Sequence, residues 1–271
     1  MGKRPKRKVL LFLVEGPTDR EALSLAFSKL YKKYRSKEGY IIEFCTLVDD
    51  VQENGDITSK FGVTVDNIEA MISKLFVDPF LDSNPYYYLK DIAEIIQIVD
   101  LDGAYILPEK VIPLQPKHSS FGKFYSESYI ETDDVVGIRE RNVRKSANLD
   151  VISQKTEIII RRKNNRNTKT VPYSVYFFSS NMDHLIHGLF NISSVEKWKK
   201  ASDFMLMCDE DDSAFEKFFF DCKFNSCGRD YNASWEYVKK DCRSLERGTN
   251  LDILIKKIVA GNLDEVGIEA S

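Results

Sequence analysis

Apolar positions along the chain fall into two kinds of pattern. Short unbroken runs, Val9-Leu10-Leu11-Phe12-Leu13-Val14 and Ile95-Ile96-Gln97-Ile98-Val99, have the length and branched composition of strands buried on both faces, as in a parallel sheet. Elsewhere apolar residues recur three and four apart, as in Leu23, Ala26, Phe27 and Leu30. That is the helical period, and Thr18 and Glu21 ahead of it have the spacing of a capping box. The patterning predicts a strand over 9–14 and a helix from about Thr18. A strand over 40–48, helices over 65–76 and 86–93, and a strand over 95–99 follow. Two further strands, 156–163 and 171–179, are joined by the polar turn Asn164–Asn167. Five helical segments complete the chain: 183–190, 194–208, 213–222, 232–245 and 251–259. Asp49 to Gly62 reads as an exposed acidic loop, Asp102 to Lys123 as a proline-bearing loop, and Gly137 to Ala147 as a basic helix. The expected fold class is α/β: a mostly parallel sheet flanked by helices, with inserted helices and a C-terminal helical cap. The expected division is a catalytic domain over 1–180, with a helical insertion at about 50–93, and a helical region over 181–271.

Each of the two strongest strands ends on acidic residues. The first runs into Glu15-Gly16-Pro17-Thr18-Asp19 and the second into Asp100-Leu101-Asp102-Gly103. Ligands of open α/β sheets lie outside the carboxyl ends of the strands, so Glu15, Asp19, Asp100 and Asp102 are expected to converge there. Four carboxylates in a small volume repel one another unless a cation holds them, and hard oxygen ligands suit Mg²⁺ or Mn²⁺. Asp100 and Asp102 are alternate residues at a flared strand end and are assigned as metal ligands. Glu15 is a ligand or general acid/base, and Asp19 completes the shell. Gly16 and Gly103 are expected to permit close backbone approach at the two acidic turns. Asp183, after Ser179-Ser180-Asn181-Met182, stands at a strand-to-helix junction and is either a further ligand or base, or an N-cap.

Composition narrows the class. A chain of 271 residues can bury a substantial core, and 43% hydrophobic with 30% charged residues excludes a disordered or membrane-embedded chain. No apolar stretch approaches the ~20 residues of a spanning helix, and the basic N-terminus lacks a signal-peptide core, so a cytoplasmic location is expected. Five cysteines without a Cys-x-x-Cys pair read as reduced thiols; zinc held by Cys222 and Cys227 with His184 and His187 is the weaker reading. The net charge of −3 conceals a basic block, with ten Lys and Arg against three acids between Arg139 and Lys169. Arg161, Lys163 and Arg166 within it are candidates for gripping the phosphates of a nucleic acid, against the alternative of a solvated hairpin tip.

The Glu15-Gly16 and Asp100-x-Asp102 motifs, with Asp19 four residues after Glu15, resemble the Toprim domain shared by topoisomerases, bacterial primases and several nucleases. The added aspartate is similar to the nuclease branch that includes the overcoming-lysogenization-defect family. Ser179-Ser180-Asn181-Met182-Asp183 resembles a segment of small stand-alone Toprim nucleases of the RloB-like and abortive-infection type. The resemblance implies Mg²⁺- or Mn²⁺-dependent hydrolysis of phosphodiester bonds in DNA or RNA, including tRNA, in bacterial anti-phage defence. It also implies a partner, an ABC-type ATPase encoded nearby. It covers roughly the first 105 residues, and the 84 residues between Glu15 and Asp100 imply inserted helices. Asp100-Leu101-Asp102-Gly103 also resembles the nucleophile motif of haloacid-dehalogenase-type phosphatases, with Ala104 in place of the usual Thr or Val. That reading leaves Glu15 and Asp19 unexplained. A partner-binding subunit of an ATPase complex is the non-enzymatic alternative.

Overall fold

In the computed structural model, residues 7–47, 55–162, 167–221 and 230–261 are described. The strands are β1 (Lys8–Val14), β2 (Tyr40–Thr46), β3 (Ile92–Asp100), β4 (Val111–Pro113), β5 (Lys123–Tyr125), β6 (Ile130–Thr132), β7 (Glu157–Arg161) and β8 (Thr168–Phe178). The helices are α1 (Pro17–Arg35), α2 (Ile68–Ile72), α3 (Asp78–Ser83), α4 (Val135–Ile152), α5 (Met182–His187), α6 (Ser194–Glu210), α7 (Ala214–Asp221), α8 (Tyr231–Val238) and α9 (Leu251–Ala260).

The central sheet has the order β2-β1-β3-β8-β7. The first four strands are parallel, and only β7 runs antiparallel, along the edge of β8. Side chains on a strand alternate between faces, and β1 shows the consequence directly. Val9, Leu11 and Leu13 belong to one core, with the α2–α3 segment, Leu149 and Ile152 of α4, and Trp235 and Val238 of α8. Leu10, Phe12 and Val14 belong to the other, with α1, α5, α6, α7 and α9. The molecule is therefore a mixed α/β protein whose mostly parallel sheet is covered by helices on both faces. Residues beyond 180 share both of these cores with the sheet.

Several local readings change. The 86–93 segment forms no α-helix: it holds only a 3-10 turn at Leu89–Asp91 before β3 begins at Ile92, and Tyr87 turns inward to donate its hydroxyl hydrogen to Glu43 at 2.7 Å. The inserted helices instead form one run from Ile68 to Ser83, with a wide π turn over Ser73–Val77 just ahead of Pro79. The stretch after Asp102 is not only loop. It contains a three-stranded sheet, β4-β6-β5, whose strands of three residues are too short to show a period in sequence. The helix expected over 232–245 stops at Val238. Helix α1 begins one residue earlier than Thr18, with Gly16 at the N-cap and Pro17 at the first helical position. The Asp49–Gly62 loop is not exposed throughout, since Ile57 and Thr58 are buried.

Candidate functional site

The strand order places a topological switch point between β1 and β3: the chain leaves β1 toward β2 on one side and β3 toward β8 on the other. Glu15 follows β1 and Asp100 ends β3, so both acidic motifs lie at that crevice. A Glu15 Oε1 atom accepts a hydrogen bond from the Asp100 backbone N–H at 2.9 Å, stitching the two strand ends together. Asp19, in the first turn of α1, reaches back to accept from the Gly16 N–H at 2.9 Å. A carboxylate there is favoured by the helix dipole and satisfies an otherwise orphaned amide.

The Asp102 turn is held on three sides. Backbone N–H groups of Leu101, Asp102 and Gly103 donate to the carbonyls of Phe178, Ser180 and Ser244. Asp102 and Gly103 are both left-handed, at φ 49° and 74°. A Cβ on Gly103 would stand 2.8 Å from Leu245 Cδ2 and 3.0 Å from Ile130 Cδ1, so this glycine is required on both counts. Gly16 differs from the expectation. Its backbone is extended, and a Cβ would meet nothing nearer than 3.8 Å.

A lysine sits among the acids. Lys145 of α4 has no exposed side-chain surface; its Nζ is 2.8 Å from Asp56, 3.3 Å from Asp102 and 4.0 Å from Glu15. Burial opposes its charge, but these three carboxylates outweigh burial and hold it protonated above the ordinary lysine range. Arg141, one helical turn earlier, donates to the Asp102 carbonyl at 2.8 Å. The same helix pins the 56–63 loop: Arg144 donates to the Ser59 carbonyl and Asn148 to those of Thr58 and Val63. Gly55 also donates its N–H to the Glu15 carbonyl. Asp56 thereby enters the site.

The electrostatics are uneven. Burial, then Asp56, push Glu15 well above the usual carboxylate range despite Lys145. Burial, then Glu15 and Asp19, do the same to Asp100. Asp19 is raised to about 6, chiefly by burial. Burial also acts on Asp102, but Lys145, Arg141 and Lys123 overcome it and bring it down to about 2. Positive charge is thus concentrated on the Asp102 side, while Glu15 and Asp100 are under-compensated.

Asp183 lies on the first turn of α5, and its Oδ2 pairs with Lys197 at 3.1 Å. The N-cap is Asn181, whose side chain accepts from the His184 N–H at 2.8 Å. Asp183 Oδ1 is buried with no hydrogen-bond partner. Arg161 is not brought to the acids. It pairs with Thr168 at the start of β8, whereas Asp100 pairs with Phe178 at its end, ten residues and about 33 Å along the strand. Lys163, Arg166, Cys222 and Cys227 lie outside the described residues. The basic groups at the site are instead Lys145, Arg141, Lys123 and Lys197. Residues 141, 145, 148 and 152 fall on one helical face, the pattern by which Arg141 and Lys145 could have been placed inward.

The donor set tests the expected metal. Its oxygens are hard, its negative charge exceeds the local positive charge, and Asp183 offers an unsatisfied buried oxygen, all of which suit Mg²⁺ or Mn²⁺. In the arrangement present, no three His, Cys, Asp or Glu side chains among the described residues are gathered closely enough to hold an ion. Lys145 supplies cationic charge there. The residues fit a divalent cation in chemistry and charge, and coordination requires carboxylates to turn from Lys145.

Fold and site together define a doubly wound α/β protein with an acidic crevice at its switch point. Compared with protein-family models, curated proteins and solved structures, the chain matches none. No helix among the described residues is long and apolar enough to cross a membrane.

Proposed function

We propose that this chain is a cytoplasmic Toprim-type nuclease that uses Mg²⁺ or Mn²⁺ to hydrolyse phosphodiester bonds in DNA or RNA, as the effector of a bacterial anti-phage or abortive-infection system. One observation supports the reading: Glu15, Asp19, Asp100 and Asp102 all lie at the β1–β3 switch point, where Glu15 accepts from the Asp100 backbone N–H. Glu15, Asp100 and Asp102 would hold the metal, with Asp19 completing its shell and Asp183 at its border. A bound divalent cation would lower the pKa of a water and neutralise charge developing on the scissile phosphate. Glu15, held above the usual carboxylate range by burial and then Asp56, is suited to hold or move a proton. Arg141 and Lys145 fix the Asp102 turn and its carboxylate. An ABC-type ATPase partner belongs to the proposal on the resemblance alone.

The test is cleavage of plasmid, single-stranded DNA and total tRNA with Mg²⁺ or Mn²⁺, for wild type and Glu15→Ala. The reading expects metal-dependent cutting that Glu15→Ala abolishes. Cutting that survives EDTA or survives Glu15→Ala sinks it. Hydrolysis of a phosphate monoester that survives Glu15→Ala but not Asp100→Asn would move the assignment to the phosphatase class.

A further inference from the structure

Beside the carboxylates lies a cleft of about 380 Å³ that the acidic motifs do not account for. Lys123 and Tyr125 of β5 line it with Asn191 and Lys197, and Asn181 and Asp183 join it to the acidic crevice. Its lining comes from distant parts of the chain that are locked together. The Asn191 side chain accepts from the Tyr125 N–H at 2.8 Å and donates to the Tyr125 carbonyl at 3.0 Å, reproducing both bonds of a strand pairing. It does so from a left-handed backbone, at φ 57°. Arg141 donates to the Tyr125 hydroxyl at 3.1 Å and to the Asp102 carbonyl, so the wall is tied to the acidic turn as well.

The chemistry of the cleft is specific. Lys197 keeps 42% of its side chain exposed while pairing with Asp183. Lys123 makes no ion pair among the described residues, and its Nζ lies 5.0 Å from the centre of the Tyr125 ring. Both lysines act on the site acids: Lys123 on Asp102, and Lys197 on Asp19. Between them the buried Asp183 Oδ1 has no donor of its own. Two cations on one lining and one oxygen short of a donor suit a ligand carrying phosphates and hydrogen-bond donors together. A nucleotide has both. The volume lies at the small-ligand end of binding sites, the scale of one nucleotide.

We infer that this cleft seats one nucleotide of a single strand beside the scissile phosphate, with Lys123 and Lys197 contacting its phosphates. The inference rests on the nuclease reading for the word scissile, and binding tests it separately. Fluorescence anisotropy of labelled 12-nucleotide RNA and DNA, each single-stranded and as the duplex of the same sequence, is measured in EDTA and again in Ca²⁺. The expected result is a single strand bound at least tenfold tighter than its duplex. Lys123→Gln and Lys197→Gln should each weaken it about fivefold or more and lower the salt slope by about one. Lys197→Arg should bind as wild type, which separates loss of the charge from loss of the fold, and Lys37→Gln, before β2, should change nothing. Equal or tighter duplex binding, no binding at all, or Lys123→Gln and Lys197→Gln variants that bind as wild type would overturn it. Lysine-dependent single-strand binding without cleavage would keep the cleft and remove the nuclease. Cleavage that both glutamine variants leave intact would keep the nuclease and remove the cleft.

Discussion

The Lys145 ammonium lies 3.3 Å from the Asp102 carboxylate with none of the lysine side chain exposed. A buried cation is tolerated only where acids compensate it, and Asp56 and Glu15 complete that compensation. The site is therefore balanced on its Asp102 side by the protein's own charge.

Removing that cation strands the acids. Lys145→Met should destabilise the fold by about 3–5 kcal/mol, read from urea denaturation in EDTA. Added Mn²⁺ should raise the melting temperature of the variant more than that of wild type. A variant as stable as wild type in EDTA would show that the carboxylates do not depend on Lys145.

Asp19 gives a pH signature. With its folded pKa raised to about 6, it favours the native state below about pH 4, and that benefit is lost as pH rises through 6. Asp102, brought down to about 2, acts oppositely, its stabilisation being lost only as pH falls below 4 toward 2. His184, pushed down to about 4 by burial and Arg247, destabilises as pH falls from 6.5. Because these overlap, the measurement is a difference. The melting temperature of Asp19→Asn minus wild type in EDTA should be positive at pH 7 and shrink to nothing near pH 4. A pH-independent difference would contradict the shift.

The two glycines of the acidic turns should behave differently. Gly103→Ala meets Leu245 and Ile130 within 3.0 Å at a left-handed φ and should cost about 1–3 kcal/mol. Gly16→Ala has an extended backbone and open space, and its unfolding midpoint should stay within about 0.5 kcal/mol of wild type. Equal losses at both would mean that Gly16 is constrained by something other than its own backbone.

The arginines separate the two ends of the sheet. Arg141→Ala should lower nuclease cutting at least tenfold, since it frees the Asp102 turn from the cleft wall. Arg161→Ala, at the other end of β8, should leave cutting unchanged. A large effect at Arg161 would place the nucleic-acid path along the β7 edge.

By itself the sequence determined the class of sheet and the place of the acids. Unbroken runs such as 9–14 can be satisfied only by burial on both faces, and burial on both faces selects a parallel, helix-covered sheet. An acid at the end of such a strand then has one place to be, and Glu15, Asp100 and Asp102 are there. Local pattern could not decide what comes from far along the chain. The β4-β6-β5 strands exist through pairing rather than through any period of their own. Asp56 enters the site because α4 grips its loop, and Gly16 rather than Thr18 is the N-cap of α1 because Pro17 starts the helix, leaving Asp19 to accept from the Gly16 N–H. Arg161 and Lys145 belong to the same basic block, yet strand length carries one about 33 Å from the acids along β8 while helix α4 buries the other among them. Charge in a sequence records how many cations a segment has. Which of them meets an acid is decided by burial, where an unpaired charge is too costly to persist.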